Sequence, residues 1–158
     1  MSTPLRSWTE ADFEALSWHD DTLWGVALCV GDPFENDWTS DLVLDIDHIV
    51  EWAPGADGMR FRVAPATLRF HGVTDLGIAM RWPDSGFSCA PCLPTIRSIE
   101  RAPVPEQRVH LDRTYYSWRI VLNETPGGEI HFGAVAFTQT LRRDPLLLPE
   151  QQLPRSQR

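Results

Sequence analysis

The stretch Asp41 to Trp52, DLVLDIDHIVEW, decides the fold class. Leu42, Leu44, Ile46, His48, Val50 and Trp52 fall on one side of a period-2 strand. Val43, Asp45, Asp47, Ile49 and Glu51 fall on the other. Such alternation describes a strand with one face on a core and one near water. The second face is partly acidic, so it is either a solvated face or the start of a carboxylate site.

Working outward, Thr22 to Val30 reads as a strand closed by Gly31-Asp32-Pro33, and Ala53-Pro54-Gly55 ends the Asp41–Trp52 strand. Arg60 to Val73 changes phase: Phe61 and Val63 share one parity, and Ala66, Leu68 and Phe70 the other. Pro65 sits at the switch, where a bulge or a crossover between sheets is expected. Thr74 to Trp82 follows, with Leu76, Ile78, Met80 and Trp82 expected inward. Thr95 to Val104 is a weaker strand. Residues 115–141 read as a β-hairpin turned at Pro126-Gly127-Gly128. Before all of these, Thr9-Glu10-Ala11-Asp12 resembles a capping box and predicts a short helix over residues 10–17.

The expected fold is therefore mainly β with little helix: an antiparallel curved sheet, partial barrel or sandwich, with one short N-terminal helix. Residues 1–142 are expected to form a single domain. Residues 143–158, with Pro145, Pro149 and Pro154, are expected to form an extended, partly mobile tail. The expected core is Leu44, Ile46, Leu68, Phe70, Leu76, Ile78, Trp118 and Ile120.

Composition excludes several chemistries. The 158 residues carry 22 acids against 14 bases, a formal charge of −8 that disfavours a broad phosphate-binding surface. No nucleic-acid partner is expected; a basic protein partner or a cation fits the charge better. All the bases are Arg, so no P-loop, Schiff-base or kinase-type lysine exists. The opening STPLRSWTEADFEAL carries acids where a secretory signal needs an apolar run. No apolar run is long enough to span a bilayer. The expectation is a cytoplasmic protein without membrane association. Cys29, Cys89 and Cys92 are an odd set, which fits a reducing compartment. Cys89-Ala-Pro-Cys92 has metal or redox spacing, but no second ligand pair completes a zinc site and Leu93-Pro94 follows at once. Incidental loop cysteines are the expectation.

The candidate site residues are His19, Asp20, Asp45, Asp47 and Glu51. His19-Asp20 has the order of the HD pair of metal-dependent phosphohydrolases, but that fold is helical and needs further ligands on helices. His19, Asp20, Asp45 and Asp47 could hold Mg²⁺ or Mn²⁺ if their strands lie side by side. The alternative is that Asp20 or Asp21 caps a turn and that Asp45 and Asp47 are solvated. His48, on an apolar face, reads as a hydrogen-bonded core residue. His71, His110 and His131 show no partner at catalytic spacing along the chain. Arg60, Arg62, Arg69 and Arg81 read as a solvated face with cross-strand ion pairs. No nucleophile elbow and no Gly-rich phosphate loop is present.

The order WHD, LVLDID-x-I-x-EW, VAPATLRFHGVTDL and GAVAFTQTLRRDP, over residues 18–145, resembles a group of small uncharacterised bacterial proteins. In outline it also resembles immunity proteins of polymorphic-toxin systems. His19, Asp20, Asp45, Asp47, Leu68, Phe70, Val73 and Leu76 carry that likeness. The resemblance implies a bacterial inhibitor without an established active site or cofactor. Three functions follow as expectations. The first is a non-enzymatic binding protein, immunity-like, whose acidic sheet face meets a basic partner. The second is a metal-dependent hydrolase built on His19, Asp20, Asp45 and Asp47. The third is a small-ligand-binding β domain with a Trp-lined pocket.

Overall fold

The computed structural model describes residues 6–82, 92–105 and 114–158. Alternating sequence becomes antiparallel strands throughout. In chain order they are β1 (Ser7–Thr9), β2 (Thr22–Val30), β3 (Ser40–Gly55), β4 (Gly58–His71), β5 (Thr74–Ala79), β6 (Ile96–Pro103), β7 (Tyr116–Leu122), β8 (Glu129–Ala134), β9 (Ala136–Leu141) and β10 (Leu146–Leu148). They form two sheets, β1-β9-β4-β3-β2 with β10 added to β4, and β5-β8-β7-β6. The fold is mainly β, and neither sheet closes into a barrel. The expected helix over residues 10–17 is a six-residue 3-10 turn, Glu10–Ala15. The Thr9 N–H donates to the Asp12 carboxylate (2.9 Å) at its start.

The main core lies between the sheets. Leu44, Ile46, Leu68, Phe70 and Phe137 come from one side, and Ile96, Trp118, Ile120, Ile130 and Phe132 from the other. Phe70 meets both Trp118 and Phe132 edge-on, with ring centres 5.0 and 4.7 Å apart. Such contacts add to what burial alone contributes. Of the expected core, Leu44, Ile46, Leu68, Phe70, Trp118 and Ile120 are buried together, and Leu76 packs against them. Ile78 is a correction. It pairs with Ile130 on the inner face, yet 49% of it is exposed. Inward direction is a property of the strand; coverage needs a facing strand.

The phase change in β4 also has a different cause from the one expected. Pairing of β3 with β4 runs without a shift from Leu42↔Phe70 to Ile49↔Val63, with Pro65 opposite Asp47. No bulge lies at Pro65; the irregularity is on β3, between Ile49 and Glu51. Beyond it Trp52 pairs with Phe61 and stays half exposed, off the core face assigned to it by parity. Pro65 is tolerated because it falls between two pairings on one side of β4, that with β9 ending at Ala66 and that with β10 at Val63. A missing N–H costs no ladder bond there. From Val63 to Ala66 both faces of β4 are apolar because both are covered.

The second cover is the segment after Arg142. β10 pairs Leu146–Leu148 with Phe61–Val63. Leu153 is buried in a satellite cluster with Ile49, Phe61 and Val63. Where a partly mobile tail was expected, residues 146–158 form a strap across the outer face of β3 and β4. The expected hairpin is present as β7 and β8, paired from Tyr116↔Ala134 to Val121↔Glu129. Its return run does not stay in one sheet: it breaks at Val135, and β9 continues in the other sheet beside β4.

Candidate functional site

The strap organises the acidic residues. Asp47 is fully buried: its carboxylate accepts the Leu153 N–H (2.8 Å) and the Arg158 Nε–H (2.8 Å). Asp45 accepts from Arg158 Nη2 (2.7 Å) and from Arg142 Nη2 (2.6 Å). One guanidinium fork thus spans both carboxylates, and its plane lies over the Trp24 ring, 4.2 Å from the centre. Burial pushes the Asp45 carboxyl up, but the hydrogen bonds and charges of Arg158 and Arg142 prevail and hold it below its ordinary value. Asp20, with a left-handed backbone (φ 67°), accepts from Gln151 Nε2 (3.2 Å). Asp20, Asp45 and Asp47 therefore all meet the strap. The face read as acidic has its charge paired within the chain.

His19 meets that contact through Asp20, its Nε2 3.7 Å from the carboxylate oxygen that Gln151 bonds, whereas Glu51 stands apart from it. His19 stacks near Trp52, with ring centres 6.4 Å apart. Glu51 pairs with Arg62 (2.9 Å) across the strands. Among the described residues no group of three or more His, Cys, Asp or Glu is gathered to hold a metal ion.

Two histidine networks form in space, that of His48, expected as a hydrogen-bonded core residue, and that of His71. His48 is buried, and its Nδ1 lies 2.6 Å from the Asp21 carboxylate, which also accepts the Ile49 N–H (2.8 Å). Burial pushes the Asp21 carboxyl up, while the His48 hydrogen bond and charge pull it down without cancelling the shift. His71, which lacks a partner along the chain, gains two in space. Its Nδ1 is 3.3 Å from Asp41 and its Nε2 3.1 Å from Thr138 Oγ1. Arg69 Nη1 donates to the same Asp41 oxygen (3.0 Å). Hydroxyl, imidazole and carboxylate are in triad order. They sit within the ladder of β3, β4 and β9, where backbone N–H groups are engaged by neighbouring strands. An acyl-transfer site needs free donors for an oxyanion, and a ladder leaves few.

One unfilled feature among the described residues is apolar. A cavity of about 390 Å³ is lined by Leu23, Trp24 and Val26 of β2, by Ile78, Met80 and Trp82, and by Leu93 and Pro94. Its size falls within the range of small-molecule sites. The Trp24 Nε1–H is a buried donor without an acceptor among the described residues. Trp82 is held by a bond from its Nε1 to the Cys92 carbonyl (2.8 Å). The apolar run Leu76–Trp82 was legible, but as core. That its far end borders a cavity among the described residues follows only from where the sheets end.

Cys29 and Cys92 are free thiols; Cys89 lies outside the described residues, as does His110. None of the described helical segments is long and apolar enough to cross a membrane. No family model, curated protein or solved structure matches the chain.

Proposed function

We propose that this protein is a binding domain that takes a small apolar or aromatic ligand into the Trp24–Trp82 cavity. The carrying observation is the cavity itself, whose walls are apolar side chains supplied by two strands and the Leu93-Pro94 segment. Removing apolar ligand surface from water supplies about 25 cal/mol per Å². A basic partner at Asp45 and Asp47, as an immunity-like inhibitor would require, has to displace Arg158 and Arg142 first. A hydrolytic cation at the same residues faces the same competition. The geometry thus favours the cavity over the acidic face.

The test is titration with the fluorophore 1-anilinonaphthalene-8-sulfonate, followed by competition with indole and medium-chain alcohols. Saturable binding at one site is expected, with quenching of Trp emission. Ile78→Arg, a change at a half-exposed position, should weaken it about tenfold or more without altering the denaturation midpoint. Non-saturable binding, or binding indifferent to Ile78→Arg, would remove the proposal.

A further inference from the structure

β2 ends its sheet, and among the described residues no strand covers its outer edge beyond Leu23. One side pairs with β3 along its length. On the other side Thr22 bridges Thr95 and the Leu23 N–H donates to the Pro94 carbonyl (2.9 Å). From Trp24 to Val30 no described residue pairs with that edge. The run WGVALCV holds no charge and no proline; its one irregularity is the register shift between Leu23 and Gly25, and from Gly25 to Val30 the pairing with β3 is regular.

The two halves of this edge are complementary. The second half exposes apolar side chains, Leu28 at 60% and Val30 at 69%. The first half, Leu23 to Val26, borders the open apolar cavity. Charge follows the same division. Beyond Val30, the turn Gly31–Ser40 carries Asp32, Glu35 and Asp37 and no base. At the other end, the Arg155 guanidinium lies 5.5 Å from the Trp24 ring centre, exposed and without an ion pair among the described residues. The acidic turn is also held rigid. Asp32 accepts the Phe34 N–H (2.9 Å), Asn36 the Trp38 Nε1–H (3.0 Å), and Asp37 the Thr39 N–H (3.0 Å). That rigid turn presents Phe34 at 99% and Trp38 at 74% exposure. The Trp38 ring, tied to Asn36 through its Nε1, loses less entropy on docking than an untethered one.

We infer that β2 is the interface for a second copy of this chain, paired antiparallel with its own β2 about a two-fold axis near Ala27. Antiparallel self-pairing sets the second half of each strand against the first half of the other. The second copy's Leu28 and Val30 then face the cavity mouth, and its acidic turn approaches Arg155. Each contact occurs twice, as an isologous interface requires. The free N–H and C=O groups of both edges satisfy one another. This interface shares Leu23–Val26 with the cavity proposed above, so a bound ligand and the second copy compete there, and the ligand-free chain is the form to test.

Sedimentation equilibrium of the ligand-free full chain, from about 1 to about 100 µM, reads the association directly. A closed monomer–dimer equilibrium is expected. Leu28→Lys with Val30→Lys should leave a monomer with an unchanged circular dichroism spectrum and denaturation midpoint, since both side chains are already exposed. Arg155→Glu should weaken the dimer about tenfold, and adding Asp32→Arg should recover part of the loss. Amide hydrogen exchange should show Trp24–Val30 slowing with protein concentration. A monomer throughout the range overturns the inference. So does a dimer that survives the double Lys variant, or open-ended association.

Discussion

At the residue scale, the same side-chain chemistry has opposite consequences at Asp45 and Asp47. Asp47 is fully buried and bonded to Leu153 and Arg158, whereas Asp45 is partly open. Removing one partner from a buried pair leaves the other uncompensated. Asp47→Asn should therefore cost about 3 kcal/mol in urea denaturation, and Asp45→Asn at most about 1 kcal/mol. This departs from the expectation of a solvated pair, under which both changes would leave folding intact. Asp45 also sets a pH dependence. Its carboxyl is held below the ordinary value, so the unfolded chain takes up its proton first. The stabilisation is complete above the unfolded value of about 3.9 and is lost as pH falls through the lower folded value. Denaturation midpoints should fall on acidification below about pH 4, and Asp45→Asn should flatten that fall. Parallel curves for the two proteins would refute the linkage.

At the element scale, the strap changes the meaning of β3 and β4. A strand with one covered face alternates, whereas one with two covered faces runs apolar, as Val63, Ala64, Pro65 and Ala66 do. The run is readable in the sequence as a phase change, but its cause is about eighty residues away along the chain. No local signal in PLLLPEQQLPRSQR announces docking, because its prolines are equally at home in an extended strap and a loose tail. Leu153 is the test. It is 1% exposed, and Leu153→Ala should cost about 2–5 kcal/mol in denaturant midpoint experiments. Leu147→Ala, at 42% exposure, should stay within about 0.5 kcal/mol. Equal effects would mean that the strap does not hold through Leu153.

At the scale of the whole molecule, stability rests on one core between two sheets, with a satellite under the strap. Phe70 joins the sheets through Trp118 and Phe132, so Phe70→Ala should cost about 3–5 kcal/mol. An unchanged urea midpoint would contradict its place there. The cavity and the open β2 edge arise at this scale too. The sheets leave Ile78 and Leu28, both on inner faces, exposed where coverage stops.

The sequence by itself determined the strands, the Pro126–Gly128 hairpin turn and most of the core, because period-2 alternation and turn residues are local properties. Leu44, Ile46, Leu68 and Phe70 were legible since each needs only its neighbours to define a face. Tertiary structure alone decided that Arg158 reaches Asp45 and Asp47, that His71 meets Asp41 and Thr138, and that Ile78 borders a cavity. Those contacts depend on which distant strand or segment lies opposite, and parity along one strand specifies a direction without specifying what waits there.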